Sequence, residues 1–206
     1  MTMKRILAIL LLASMMLVMA SCGASNPNKT VEKYVEAMLD GDLKKASKYV
    51  AVDYEDLFDA MIAQMMEEED ISKKEAHENL SEELDTKIKN FSDYAKYIKK
   101  TTKESMEEEY EGKIEIEASV VATEILEEDA KYSALKSASS QYDSAKVILS
   151  EEINVAKIKE CRNVTVKIYF YLDGSDVFTT VNTIEVCAAK VGSSWVILDG
   201  GMGMDN

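Results

Sequence analysis

Three cysteines and a single histidine are the residues of this 206-residue chain best suited to covalent or metal chemistry. They are Cys22, Cys161, Cys187 and His77. A structural zinc site needs about four His or Cys ligands at short spacings, and a Ser-His-Asp or Cys-His nucleophile could use only His77. No G-x-S-x-G turn or glycine-rich phosphate loop is present. The sequence therefore predicts no metal, no cofactor and no catalytic residues, and it leaves the ligand-binding residues unknown.

The segment before Cys22 has the three-part layout of an export signal. Lys4 and Arg5 precede an apolar run over residues 6–19, and the small residues Ala20 and Ser21 follow. The run of 14 residues is short for a membrane-spanning helix, which needs about 20. A short N-terminal anchor that is never cleaved is the alternative interpretation of this segment.

The four residues Met19, Ala20, Ser21 and Cys22 resemble the lipobox of bacterial lipoproteins, with Met19 where Leu is usual. The resemblance implies that cleavage between Ser21 and Cys22 leaves Cys22 as the first residue of the mature chain. Its thiol would carry diacylglycerol, with acyl chains such as palmitate. We therefore expect a signal peptide over residues 1–21 and a lipid anchor that holds the protein on the extracytoplasmic side of the cell membrane.

The composition is strongly acidic, with 38 Asp and Glu residues against 24 Lys and Arg residues. The net charge is −14, and loss of Lys4 and Arg5 with the signal makes it −16. A basic footprint for nucleic acid is missing, so we expect no nucleic-acid partner. A polybasic membrane patch is also missing, so the acyl chains would provide the membrane attachment. The 185 residues that remain after removal of residues 1–21 are enough for one domain.

The hydrophobic period predicts helices first and strands last. Residues 22–28 are small and polar and are interpreted as a tether. Helical periods follow up to Gly112, with Asn28 or Thr30, Asp42 and Ser72 as N-caps and Gly41 as a left-handed helix end. Alternation then predicts a strand over 114–122, and a helical period covers 129–149. The chain from about residue 154 onward is predicted as strands. Apolar residues alternate over 164–172 and over 178–186 within two long neighbouring strands, and a final strand covers 195–198.

Two stretches carry a family resemblance. VEKYVEAMLDGDLKKASKYV (31–50) and VCAAKVGSSWVIL (186–198) resemble the opening and the ending of NTF2-like (cystatin-like cone) bacterial envelope lipoproteins of uncharacterised function. The resemblance implies an α+β fold in which N-terminal helices pack on a curved antiparallel sheet. It also implies that residues 29–206 form a single NTF2-like domain. The helix over 129–149 is similar to an insertion in some members.

The same resemblance implies several classes of function, because the cone mouth binds ligands in some members and the sheet face forms dimers in others. We expect a non-enzymatic binding or interaction module for a small ligand or an envelope protein, and a homodimer through the sheet face is a further prediction. The alternative is a pocket enzyme acting on a small hydrophobic substrate. Its candidates are Tyr169 or Tyr171 with Glu124, but the sequence leaves open which face lines the cone.

The two later cysteines lie on neighbouring predicted strands. If residues 173–175 form the turn, Phe170 lies opposite Phe178, and Cys161 lies opposite Cys187. Registers that differ by one residue mix the apolar and polar faces, so the cysteines should lie opposite each other or one pair apart. Because disulfides persist in exported proteins, we predict a cross-strand Cys161–Cys187 disulfide. Two buried free thiols are the alternative.

Overall fold

A computed structural model describes residues 26–50, 54–129, 131, 158–174 and 178–199. These residues form an α+β fold, as predicted, with helices followed by antiparallel strands. The helices are α1 (Pro27–Leu39), α2 (Leu43–Ala46), α3 (Tyr54–Glu69), α4 (Lys73–Glu83) and α5 (Phe91–Glu109). The strands are β1 (Ile114–Ile125), β2 (Ile158–Leu172), β3 (Phe178–Val191) and β4 (Ser194–Asp199).

Several sequence predictions lie outside these residues. They concern the signal peptide, Ser21 and Cys22, the first part of the tether and nearly all of the helix predicted over 129–149. The start of that helix is described, because the Lys131 amide donates to the Glu127 carbonyl over 2.8 Å. Among the described helices, none combines the length and the apolar character that crossing a membrane requires.

Local capping chemistry explains where most helices begin. The Ser72 hydroxyl and the Glu75 carboxylate form a reciprocal capping box at α4, and Asp42 caps α2 by accepting from the Lys45 amide. The expected cap of α1 is wrong. The N-cap is Asn26 rather than Asn28 or Thr30, and its side chain accepts a hydrogen bond from the Asn28 amide. Pro27 occupies the first helical position, where its missing N–H costs nothing.

The four strands form one antiparallel sheet in the order β1-β2-β3-β4. β2, β3 and β4 are a meander, and β1 pairs along the other side of β2. A parallel bridge between Val50 and Ile197 covers part of the free side of β4. At the β1 bulge, the Glu32 carboxylate of α1 accepts from the Val120 amide over 3.1 Å. The helical layer therefore reaches both edges of the sheet.

One face of the sheet packs against the helices and forms the core. We call it the inner face, and on β2 it consists of alternate residues starting at Val164. Its central members are completely or almost completely buried together with apolar residues of α1 and α3; they are Val164, Val166, Ile168, Ile184, Val186 and Ala188. The opposite face, which we call the outer face, carries the odd-numbered residues of β2 from Cys161 to Tyr171.

The register between β2 and β3 differs by two residues from the predicted one. Tyr171 pairs with Phe178, one residue beyond the predicted partner, and a bulge between Tyr169 and Tyr171 adds a second residue. Cys161 consequently pairs with Ala189, so its predicted position directly opposite Cys187 is wrong. A two-residue shift preserves the faces, because the side-chain period of a strand is two. The cysteines are therefore one pair apart on the outer face, which was the other expected arrangement.

Candidate functional site

A cleft of about 360 Å³ opens between the C-terminal ends of α1 and α5 and the start of β1. Its apolar lining comes from all three elements and includes Leu39, Met106, Ile114 and Ile116. With Lys45 of α2, residues from four elements thus line one concavity, at the end of the sheet where β1 begins and β2 ends. We take this concavity, called the α1–α5 cleft below, as the candidate binding site.

Gly41 holds the wall of the cleft formed by α1. Its φ of +67° is left-handed, and a Cβ atom built there would lie 2.9 Å from the Thr102 Cβ. Only glycine therefore lets the end of α1 lie directly on α5 without strain. Lys99 of α5 adds an electrostatic clamp, with its Nζ 3.2 Å from Asp40 and 2.7 Å from Asp42. The hydrogen bond from Lys99 lowers the pKa of Asp42, and the same bond raises the pKa of Lys99.

A second close approach positions the start of β1. A Cβ atom on Gly112 would lie 2.6 Å from a Leu172 methyl carbon, so the chain passes tightly over the end of β2. Asp173 then links the end of β2 to the residue that precedes β1. Its side chain accepts from the Lys113 amide over 2.9 Å, and its own amide donates to the Lys113 carbonyl over 2.8 Å. These contacts hold Lys113 and the following residues against the mouth of the cleft.

The rim of the cleft carries charges of both signs. The basic side chains are Lys45, Lys103 and Lys113, and the acidic ones are Glu36, Asp40, Glu107 and Glu115. Two of these lysines form long ion pairs with acidic residues close in sequence, 3.7 Å from Lys103 to Glu107 and 3.6 Å from Lys113 to Glu115. Such exposed pairs contribute only about 0.2–1 kcal/mol each, so a ligand can replace them at small cost.

The enzyme candidates from the sequence do not meet in this cleft. Tyr169 and Tyr171 are on the outer face, away from the helices, and the Tyr171 hydroxyl donates to the Glu117 carboxylate over 2.7 Å. Glu124 is exposed on β1 and pairs with Asn163. The face question that the sequence left open is thus answered: the tyrosines lie outside, and aliphatic side chains face the helices.

His77 is half-buried on α4, and its ring centroid lies 5.9 Å from that of Phe58. Burial lowers the pKa of His77, which favours the neutral ring. Within the described ranges, no group of three or more His, Cys, Asp or Glu side chains is arranged to hold a metal ion. His77 thus packs against Phe58 within the helical layer.

The two cysteines of the sheet are brought together as free thiols. Cys161 is completely buried, Cys187 is half-buried, and the two thiols are hydrogen-bonded to each other. That hydrogen bond lowers the pKa of Cys161. The predicted disulfide is not formed in the structure and stays a prediction.

Sequence reasoning missed the α1–α5 cleft, and it predicted only the helix end at Gly41 and the cap at Asp42 beside it. The lining comes from four elements whose residues are separated by up to 80 positions, and only tertiary packing brings them together. Comparison of the chain with protein-family models, with curated proteins and with solved structures finds no match.

Proposed function

We propose that this chain is a lipid-anchored, extracytoplasmic NTF2-like domain that binds a small molecule carrying both charges in the α1–α5 cleft. Cys22 would bear the anchor, and the body of the protein would lie outside the cytoplasmic membrane. The arrangement of helices on an antiparallel sheet supports the NTF2-like assignment. The observation that carries the binding role is the cleft itself, which is lined by apolar side chains together with lysines and carboxylates.

A binding role is favoured over catalysis because of where the reactive side chains lie. A pocket enzyme needs two or three polar groups that converge inside a concave site with shifted pKa values. Here the inner-face positions of β2 around Ile168 are aliphatic and buried. The charged groups of the cleft rim are instead exposed or half-exposed, as suits recognition of a ligand in contact with water.

The anchor is tested by fractionation of cells expressing the full chain and metabolically labelled with radioactive palmitate. We expect label and protein together in the membrane fraction. The Cys22→Ser variant should lose the palmitate label, whereas Cys187→Ser, which removes a thiol far from the signal in the sequence, should keep it. A Cys22→Ser protein that still incorporates palmitate would contradict a lipid anchor on Cys22.

The ligand class is tested by calorimetric titration with a panel of dipeptides as zwitterionic probes. We expect at least one dipeptide to bind, and Lys103→Gln together with Lys113→Gln to weaken its binding by about tenfold or more. Lys96→Gln is the matched control, because Lys96 is an exposed lysine of α5 outside the cleft. Failure of every dipeptide, or equal weakening by Lys96→Gln, would leave an envelope protein as the better candidate partner.

A further inference from the structure

We propose that Cys161 and Cys187 form a redox-active dithiol that closes to a disulfide by exchange with a small-molecule disulfide. Cys187 would attack the small disulfide first, at the protein surface. Cys161 would then attack the Cys187 sulfur from the interior and complete the protein disulfide. The inference is independent of the proposed binding function, since it concerns the outer face of the sheet rather than the α1–α5 cleft.

Strand geometry places the two thiols within reach. Cys161 pairs with Ala189, and Asn163 pairs with Cys187, so the cysteines are diagonal neighbours on the same face of adjacent strands. Diagonal Cα atoms in antiparallel pairs are about 7–8 Å apart, slightly beyond the usual span of a disulfide. The side chains nevertheless approach each other closely enough for hydrogen bonding by the Cys187 thiol to lower the pKa of Cys161. Closure therefore requires a small adjustment rather than a new register.

The two thiols differ in access to solvent, and this difference assigns their roles. Cys161 is 0% exposed, whereas Cys187 is half-buried and can meet a small molecule. Around Cys161 the outer face changes from polar to apolar, and Ala189, Val196 and Leu198 are buried there. The segment after β1 lies alongside, because the Leu126 amide donates to the Cys161 carbonyl over 2.9 Å. A small disulfide can therefore reach only Cys187 directly.

Exchange proceeds in two balanced steps. The Cys187 thiolate attacks one sulfur of the small disulfide, a mixed disulfide forms, and one small thiolate leaves and takes up a proton. The Cys161 thiolate then attacks the Cys187 sulfur, the protein disulfide forms, and the second small thiolate leaves. Two cysteine thiols are oxidised by two electrons in total, and one small disulfide is reduced to two thiols.

The surroundings of Cys161 favour its role in the second step. The hydrogen bond from the Cys187 thiol is the main influence that lowers the pKa of Cys161, and the nearby Lys131 ammonium acts in the same direction. Burial and the carboxylates of Glu128 and Glu160 oppose them. The Lys131 side chain is itself only 13% exposed, so it is held near the start of β2 rather than extended into solvent.

The test is a redox titration of the purified full-length chain, mature as the host makes it, against mixtures of reduced and oxidised glutathione. Alkylation followed by peptide mass mapping reports Cys161, Cys187 and Cys22 separately. We expect Cys161 and Cys187 to be oxidised together, with a linked peptide pair. The equilibrium constant should be at least about tenfold larger for the folded protein than for the protein in guanidinium, since native packing holds the thiols together.

Two matched variants test the assigned roles, and both are checked for native circular dichroism. With Cys161→Ala, which the buried site can accept, Cys187 should accumulate a stable mixed disulfide with glutathione. With Cys187→Ser, Cys161 should remain unmodified. A wild-type end product with glutathione still on Cys187, or rapid modification of Cys161 in the Cys187→Ser protein, would overturn the proposal. So would an equilibrium constant that does not rise on folding.

Discussion

The two faces of β2 differ sharply, although their residues alternate along one strand. Val164, Val166 and Ile168 on the inner face are completely buried, whereas Thr165, Lys167 and Tyr169 on the outer face are partly exposed. The inner face binds the helical layer to the sheet and supplies most of the apolar burial. The outer face contributes polar pairs such as Lys167 over the Tyr169 ring, at 5.8 Å.

The side chains that stabilise the fold and the side chains that can take part in chemistry therefore lie in different parts of the molecule. A face filled with aliphatic side chains offers no acid, base or nucleophile, so it serves packing. The side chains that can take part in chemistry lie elsewhere, at the charged rim of the α1–α5 cleft and in the thiol pair near the start of β2. The outer face also changes character along its length, because Cys161 is as deeply buried as the inner-face residues.

The largest expected effect comes from truncating the inner face. Ile168→Ala should lower the free energy of unfolding by about 2–5 kcal/mol, because it removes buried methyl groups and leaves a cavity. Its neighbour Lys167→Ala should change stability by less than about 1 kcal/mol, since the side chain is partly exposed. Urea unfolding monitored by circular dichroism checks both. Equal losses in the free energy of unfolding at the two positions would contradict the difference in burial between the two faces.

The second largest effect is expected from the close packing of the end of α1 on α5. Gly41→Ala should destabilise by about 2 kcal/mol or more, because it combines left-handed strain with a clash against Thr102. Gly174→Ala is the control, with a similar φ of +68° and no neighbour within 4 Å of the added carbon. That variant should cost about 1 kcal/mol, from backbone strain alone. Thermal and urea unfolding of the pair isolate the close approach to α5.

A smaller effect is expected from the capping box of α4. Ser72→Ala should destabilise by about 1 kcal/mol, since it leaves the Glu75 amide without its side-chain acceptor. Ser105→Ala, at an exposed interior position of α5, should be neutral or slightly stabilising because alanine favours helices. A destabilising Ser105→Ala change of the same size would show that loss of a serine, rather than of a cap, is responsible.

On the outer face, Tyr171→Phe removes the hydroxyl that donates to Glu117. Because both groups contact water, we expect a loss below about 1 kcal/mol. A double-mutant cycle with Glu117→Gln measures the coupling directly. A coupling as large as the inner-face effects would show that the outer face carries structural energy as well.

The smallest effect concerns the ionic clamp beside the cleft. The hydrogen bond from Lys99 lowers the pKa of Asp42 in the folded state, so its stabilisation is present above the unfolded value of 3.8. It is lost as the pH falls through the folded pKa. Asp42→Asn keeps the helix cap but removes the charge, so wild type and variant should converge in stability once the pH has fallen below the lowered pKa of Asp42 in the folded state. Urea midpoints measured from pH 2 to pH 7 test this, and a gap that widens toward low pH would contradict the clamp.

Features encoded within a few residues were predicted from the sequence. Gly41 is left-handed, Asp42 caps α2 and Ser72 caps α4, each because a local backbone conformation or a short side chain decides the outcome. The alternation of apolar residues also gave the correct pairing of faces between β2 and β3. The α+β order followed from the change of hydrophobic period after Gly112.

Features that depend on distant packing were not predictable in this way. The bulge between Tyr169 and Tyr171 has no clear local signal, and it contributes one of the two residues by which the predicted register is wrong. The inner and outer faces could not be told apart, because aromatic residues on one face and aliphatic residues on the other both suit burial. Two close approaches beside the α1–α5 cleft, Gly41 to Thr102 and Gly112 to Leu172, each join residues that are distant in the sequence.

We propose that the mature protein begins at Cys22 and is held in the membrane by a lipid on that residue. The intact mass of the protein purified from the membrane fraction, with fragmentation of its N-terminal peptide, tests this proposal. We expect a chain that starts at Cys22 and is heavier than residues 22–206 by a diacylglyceryl group, with or without an additional acyl chain. A chain that starts at Met1 with an unmodified Cys22 would contradict it.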